Sequence, residues 1–380
     1  MNKEFHKKQN FFSFSDIDSE RKDRIMKFTS TEATPAPHVP PGVLRLTGAA
    51  KEDIPMYRIQ TMNKISPVGL NRFPSELYEV GDAVQDPQGI LVRSAKLLDL
   101  EFNPSLLAIA RAGVGVNNIP LDRCAAAGIP VFSTPGANAN AVKELVICAM
   151  LMGSRDIPGA IRWVREQAAS GVDVSTVVEK GKSAFIGPEL YKKTLGIIGL
   201  GAIGSIVANT AISLGMDVYG YDPFLSVDTA LRLDRHVHVV KDINDLYKRS
   251  DYITMHIHYT EKTAHMIDAS AIAAMKRGVR VINLARGEIV DDEAMLPALD
   301  TGMVAAYITD FPNNRLLTAP HVIAMPHLGA STPESEQNCA AMAADALRDY
   351  LESGNIRSSV NLPEMTMDRS GVQRLCVLHK

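Results

Sequence analysis

The run Gly199-Leu-Gly201-Ala-Ile-Gly204 constrains this chain more than any other segment, because of what flanks it. An apolar run over residues 195–198 comes before it, and a helical pattern over 206–214 comes after. A strand that passes into a helix through glycines so spaced can hold a phosphate. The first glycine permits the tight turn, the second lets the backbone approach a pyrophosphate, and the third lets helix and strand pack closely. The helix N-terminus adds unpaired N–H groups and a positive dipole. The same spacing also occurs in plain turns, so a further feature is needed. Asp222 supplies it, 18 residues beyond Gly204 and at the end of the apolar run 217–221. A carboxylate there accepts hydrogen bonds from ribose hydroxyls and repels a 2′-phosphate, which predicts NAD rather than NADP. The competing reading of Asp222 is a solvated turn residue before Pro223.

The turn sits inside a longer alternation. Strands are expected at 195–199, 217–221, 237–241, 252–257, 279–284, 304–308 and 321–325, with helical stretches between most of them. An earlier series reads as strands at 57–61, 89–92, 106–110 and 130–133, then a long apolar-faced helix over 140–152. Strands with nearly continuous apolar cores, interleaved with helices, mean parallel sheets covered on both faces. The fold class is therefore α/β with two doubly wound domains, a Rossmann nucleotide domain and a flavodoxin-like second domain, with an active site in the cleft between them. The expected division is 54–146 for the second domain and 147–326 for the nucleotide domain. An alanine-rich helix from Pro333 to about Glu352 is expected to return to the first, which residues 327–363 complete. Residues 1–53 are polar and include the proline-rich stretch 34–42, and they read as a disordered extension.

A chain of 380 residues with 46% hydrophobic and 22% charged residues has the balance of a two-domain globular enzyme. A net charge of −3 gives no global reason to expect nucleic acid or an anionic membrane surface. The four cysteines, Cys124, Cys148, Cys339 and Cys376, form no Cys-x-x-Cys pair, which suits a reducing compartment. No apolar run approaches a membrane span, and the N-terminus has no apolar signal core, so a cytoplasmic location is expected, with an atypical organelle-targeting leader the alternative. His236/His238 and His256/His258 each share a strand face, but no third ligand has suitable spacing, and no metal is expected. Trp163 reads as packing or interface.

Polar residues cluster where strands of the second series end. Asn283-Leu-Ala-Arg286-Gly287 closes one strand, and Pro326-His327-Leu-Gly329-Ala-Ser331-Thr332 follows another. In an open parallel sheet, ligands sit beyond the carboxyl ends of the strands. Hydride transfer to a ketone needs a proton donor, and histidine is suited to that. A 2-keto acid needs its carboxylate clamped and its carbonyl polarised, and arginine does both.

With these segments in hand, the chain resembles the D-2-hydroxyacid dehydrogenase family over about residues 57–363, most closely its branch that acts on 3-phosphoglycerate. The matching segments are Ile90-Leu-Val-Arg93-Ser94, Arg111-Ala-Gly113-Val-Gly115-Val-Asn117-Asn118, Thr134-Pro-Gly-Ala-Asn138, 199–204, Tyr221-Asp222-Pro223, 256–260, 283–287 and 326–332. The resemblance implies His327 as acid/base and Arg286 as its partner in catalysis. It implies Arg93, Ser94, Gly113, Val114 and Asn138, with Arg286 and His327, at the substrate. For NAD it implies Gly199, Gly201, Ala202, Ile203, Gly204 and Asp222, then His256, Thr260, Ala285 and Arg286, and finally Asp310, His327 and Gly329. Arg111 matches too, yet its place in an apolar strand pattern suits a brace for the loop after it. The small-molecule partner so implied is a 2-hydroxy acid, 3-phosphoglycerate first, and the family implies a homodimer or higher homo-oligomer.

One departure stands out. The family places a glutamate three residues after the Phe of a Phe-Pro pair, to charge-stabilise the histidine. Phe311-Pro312-Asn313-Asn314 puts Asn314 there, an amide that can orient a ring but brings no charge. Ser359-Val-Asn-Leu-Pro363 resembles the family's exit strand. Residues 364–380 resemble the incomplete start of an ACT regulatory domain, and a chance apolar tail is the alternative. The functions left open are serine-biosynthetic 3-phosphoglycerate oxidation, reduction of hydroxypyruvate, glyoxylate or another 2-keto acid, and a weakly active NAD-binding scaffold or sensor.

Overall fold

A computed structural model describes residues 25–28, 56–368 and 374–377. Strand β1 is Ile25–Phe28, within the stretch expected to be an unstructured extension; the rest of that stretch up to residue 55 lies outside the described residues. By internal contacts the chain separates into two units, one running up to Thr134 and resuming at Cys339, the other spanning Pro135–Asn338.

The first unit holds β2 (Tyr57–Met62), β3 (Tyr78–Gly81), β4 (Gly89–Val92), β5 (Ala108–Arg111) and β6 (Val131–Phe132). They form one parallel sheet in the order β3-β2-β4-β5-β6, the flavodoxin-like winding. Ile59, Ile90, Leu91, Val92, Ile109 and Phe132 are all but fully buried, so both faces of this sheet are covered. The later part of the helix Pro333–Ser353 covers one face, as the sequence predicts. Glu352 Oε1 accepts from the Tyr78 hydroxyl at 2.6 Å, Arg348 donates to the Arg72 carbonyl at 2.7 Å, and the Tyr350 ring meets Phe132 at 5.7 Å. A Cβ on Gly89 would press within 3.0 Å of Leu347, which explains the glycine at that strand start.

The second unit holds β7 (Thr194–Ile198), β8 (Asp217–Tyr221), β9 (Val237–Val239), β10 (Tyr252–Met255), β11 (Val279–Asn283), β12 (Val304–Thr309) and β13 (Val322–Ala324). All seven are parallel, in the order β13-β12-β11-β10-β7-β8-β9. The order reverses between β7 and β10, the switch point of a doubly wound sheet. Side chains alternate between two cores. Ile253, Met255, Val281 and Tyr307 enter one with Leu246 and Met295, while Leu195, Ile197, Ile282 and Ile308 enter the other. Helix Ala139–Arg155 packs on the second core through Val142, Val146, Ala149 and Met150. Each such valine or methionine side chain, fully buried, contributes on the order of 1.5–3 kcal/mol. Trp163 is a packing residue within this unit, 6.1 Å from the Phe185 ring and against Gly181.

One expectation for the C-terminus needs correction. Residues 359–363 form no strand; Ser359 makes a single antiparallel bridge with Phe132, and the Asn361 side chain bonds Val131 N–H and the Ile129 carbonyl. Two backbone bonds flank that bridge, Val360 N–H to the Val131 carbonyl at 2.9 Å and Ser133 N–H to the Ser358 carbonyl at 3.2 Å, and the Asn361 amide extends the pairing by one residue. The tail does contain a strand, β14 (Arg374–Val377), and it pairs antiparallel with β1, Ile25 opposite Val377. The neighbouring residues 369–373 and 378–380 lie outside the described residues.

Candidate active site

The turn after β7 is built largely by backbone constraint. Gly199 adopts φ +90, and a Cβ there would stand 2.6 Å from the His256 carbonyl oxygen at the end of β10. Helix Ala202–Ser213 follows, with Gly201 as its N-cap and no side chain capping it. Its first N–H groups are thus left for a ligand. A Cβ on Gly204 would clash with the Gly199 carbonyl, whereas one on Gly201 would meet nothing within 4 Å. The third glycine therefore serves packing, and the second faces open space beside an uncapped helix end. Ala202 and Ile203 form the first turn, Ala202 exposed. Asp222 Oδ2 accepts from Leu200 N–H at 2.9 Å and Oδ1 from Phe224 N–H at 2.9 Å. One acceptor site on each oxygen remains for hydroxyls. An open glycine, a free helix N-terminus and a fixed carboxylate fit a dinucleotide.

His256 follows β10, its N–H on the Ile198 carbonyl at 2.7 Å and its Nε2 3.2 Å from the Thr254 hydroxyl. Burial pushes its imidazole down to about 4, so the ring is neutral near pH 7. Thr260 is exposed, in a turn tied by Thr263, whose hydroxyl accepts from Thr260 N–H and donates to the His258 carbonyl, each at 2.8 Å. Thr263 was not singled out from sequence.

Beyond β11 and β12 the site is made by side chains. Buried Asn283 donates to the Arg286 carbonyl at 2.8 Å and accepts from Ala285 N–H at 3.1 Å, and so folds the loop that carries Arg286. The Arg286 guanidinium donates to the Ala285 carbonyl and lies 5.8 Å from the Phe311 ring centroid. Exposed His327 stands 4.7 Å from that same centroid. Asp310, 1% exposed, accepts from Gly329 N–H at 2.9 Å; its Oδ1 is buried with no partner among the described residues. Burial pushes the Asp310 carboxyl upward, against the Gly329 hydrogen bond and the His327 charge, which pull it down. His327, Asp310 and Phe311 line a cavity of about 650 Å³ with Gly287, Glu288, Asp291 to Glu293, Asn313 and Arg315. Asn314 is exposed and does not line it. Its neighbour Asn313 does, and that side chain caps Arg315 and Leu316 N–H and donates to Asp292.

The residues expected at the substrate lie mostly in the first unit. Arg111 Nε donates to the Arg93 carbonyl at 3.0 Å, and its guanidinium leaves no room for a Cβ on Gly113, which takes φ +154. Arg111 thus braces the Arg93 loop against Gly113-Val114. Sequence reasoning missed Asn63. This residue holds φ +74 at the end of β2, and its Oδ1 accepts from Ser94 N–H at 3.1 Å and Ala95 N–H at 2.5 Å. The available signal was an asparagine after a strand at the sheet's switch point. Asn138 belongs to the second unit, as N-cap of helix Ala139–Arg155, with its Oδ1 buried and without a partner among the described residues.

Comparisons with known proteins agree with this geometry. Residues 147–329 match the family described as D-isomer specific 2-hydroxyacid dehydrogenase, NAD binding domain. A D-3-phosphoglycerate dehydrogenase of Synechocystis is 36% identical over 326 residues, covering 83% of this chain and 56% of that protein. Its counterpart in Methanocaldococcus jannaschii is 35% identical over 302 residues, covering 77% and 55%. The chain thus spans somewhat over half the length of these curated relatives. Among solved structures, NAD+-bound 3-phosphoglycerate dehydrogenase of Entamoeba histolytica has a TM-score of 0.62 at 26% identity, covering 81% of this chain and 99% of that one. The apo D-mandelate dehydrogenase of Rhodotorula graminis shares the fold, with a TM-score of 0.66 at 21% identity, covering 80% and 98%. The chain belongs to the D-2-hydroxyacid dehydrogenase family, and its second unit carries that family's NAD-binding domain.

Proposed function

We propose that this chain is the catalytic body of an NAD-dependent dehydrogenase that oxidises 3-phosphoglycerate to 3-phosphohydroxypyruvate, the entry to serine synthesis. The observation that carries the reading is the gathering of Arg286 and His327 around one ring, beyond strands of the sheet that also bears the glycine turn. NAD, held by the 199–204 turn and Asp222, supplies the hydride acceptor. His327 takes the hydroxyl proton as the substrate's C2 loses its hydride, and returns it in the reverse direction. Arg286 pairs with the substrate carboxylate and polarises the 2-oxo oxygen. The loop of Arg93 and Ser94 binds the far end of the substrate, with exposed Lys96 the nearest further cation for a phosphate. Gly113, Val114 and Asn138 complete the substrate side, and Thr260, Ala285, Asp310 and Gly329 the nicotinamide side.

Identity of 35–36% to proteins named D-3-phosphoglycerate dehydrogenase supports the phosphorylated substrate over glyoxylate or hydroxypyruvate. We read the protein as a cytoplasmic homodimer. Among the described residues no helix is long and apolar enough to cross a membrane, and Cys124, Cys148 and Cys339 are free. The test follows NADH oxidation against 3-phosphohydroxypyruvate, hydroxypyruvate and glyoxylate. The phosphorylated acid is expected to give the highest kcat/KM. His327→Ala is expected to lower kcat by ~10²–10⁴-fold with NADH affinity unchanged, and Arg286→Ala to raise KM as well. Near-normal kcat in His327→Ala rejects the mechanism, and preference for an unphosphorylated acid rejects the substrate.

A further inference from the structure

The loop after β12 contributes no carboxylate between Pro312 and Thr318, yet it sends one aromatic side chain to both a histidine and an arginine. The Phe311 ring meets the His327 ring at a centroid distance of 4.7 Å and an angle of 47°, and the Arg286 guanidinium stands 5.8 Å from the Phe311 centroid. The backbone after Arg286 closes on the same side chain, since a Cβ on Gly287 would lie 3.4 Å from Phe311 Cβ. An aromatic face carries negative potential and attracts ammonium, guanidinium and imidazolium alike. Arg in particular stacks on such faces. A guanidinium and an imidazolium near one another repel, and a shared aromatic ring offsets part of that repulsion for both.

We propose that Phe311 is a positioning residue whose aromatic face couples Arg286 to His327 and favours the charged imidazolium. This rests on the reading of His327 as acid and Arg286 as clamp, and it assigns to an aromatic ring part of the work the family gives to a carboxylate. Charged and titratable groups face the same cavity from several elements. Asp310 follows β12 and is fastened to Gly329. Glu288 is exposed on the Arg286 loop, and His265 lines the same cavity with its backbone N–H on the Glu288 carbonyl. From the helix Asp292–Asp300 and its cap, Asp291 holds Glu293 N–H, Asp292 holds Asn313, and Glu293 pairs with Arg315. Tyr307 lies beneath, against Asn283. None of these changes when only the aromaticity of residue 311 changes, which makes the ring separable from the carboxylates.

The experiment titrates the ring-labelled histidines of the full chain by NMR, with the His327 signal assigned through His327→Gln. Phe311→Leu keeps an apolar side chain and removes the π face, Phe311→Tyr keeps the face, and pentafluorophenylalanine at 311 keeps the shape while withdrawing its electrons. The imidazolium population at fixed pH is expected to fall roughly two- to fivefold in the Leu and fluorinated proteins and to persist in Phe311→Tyr. The basic limb of the reductive pH–rate profile should move down with it, and KM for the keto acid should rise a few-fold in Phe311→Leu. If all three proteins titrate with the wild type, the coupling is wrong and the ring is filler. If Phe311→Leu does not fold, the fluorinated isostere decides. A wild type that reduces no 2-keto acid overturns the proposed activity instead, and the titration still answers for Phe311.

Discussion

Two strand ends of the same sheet are built in opposite ways. After β7, Gly199 and Gly204 shape the turn by what a Cβ would strike, Gly201 faces open space, and one carboxylate, Asp222, ties the Leu200 and Phe224 N–H groups. After β12, Asp310, Phe311 and Asn313 shape the loop by side-chain contacts with His327, Gly329, Arg286 and Asp292. The first is a local geometry and leaves a spaced signature in the chain. The second depends on residues from three other segments and leaves none.

The glycine turn offers the largest effect. Gly204→Ala forces a methyl into the Gly199 carbonyl, and overpacking of this kind costs ~1–3 kcal/mol or more. A thermal melt is expected to fall by several degrees, with NADH binding lost. Gly201→Ala meets nothing within 4 Å, so its melt should match the wild type. Its NADH affinity should nevertheless drop, by about tenfold or more, because the methyl occupies the space a pyrophosphate enters. A Gly201→Ala protein that binds NADH normally would break the assignment of this turn.

Asp222→Ala sharpens the same side of the comparison. The carboxylate disfavours a 2′-phosphate and accepts from ribose hydroxyls, so its loss should shift the NADH/NADPH ratio of kcat/KM by on the order of tenfold to a hundredfold. Because Asp222 also holds Leu200 and Phe224 N–H, some thermal stability should go with it. An unchanged ratio would leave Asp222 a turn residue only.

A pH dependence belongs to this region as well. Burial holds folded His256 at about 4, below the ordinary 6.5 that the unfolded chain recovers. The unfolded state therefore binds more protons between those values. Stability from a neutral His256 is complete above about pH 6.5 and is lost as pH falls toward 4, by on the order of 1–3 kcal/mol. Denaturant unfolding at pH 7 and pH 5 should show a smaller loss for His256→Gln than for the wild type. Equal losses would mean that the ring is solvated.

The same contrast explains what the chain disclosed before its fold was known. Strands β7, β10, β11 and β12 are largely buried on both faces and read as near-continuous apolar runs. Strand β3, Tyr-Glu-Val-Gly at a sheet edge, has too little apolar content to register. The return of the helix Pro333–Ser353 was legible because the strand series ended before it. Asn63 and Thr263 were not, because each acts through backbone N–H groups whose positions only the fold supplies. The contact of Phe311 with His327 spans 16 positions and depends on β12 and β13 lying side by side.

The smallest expected effect tests the least legible residue. Spacing alone puts Asn314 where the family has a glutamate beside the histidine, which would make Asn314→Glu a gain of charge at His327. The loop argues otherwise. Asn313, one residue earlier, turns its side chain back to cap Arg315 and Leu316 and to reach Asp292, and it is Asn313 that lines the cavity with His327. Asn314 is left exposed. A carboxylate added in solvent is screened, and exposed ion pairs contribute ~0–1 kcal/mol. Asn314→Glu should therefore leave the basic limb of the reductive pH–rate profile within about 0.3 unit of the wild type, and raising the salt should erase even that. A shift of a full unit would show that the loop can turn residue 314 inward, and would move the charge on His327 from the ring of Phe311 back to this position.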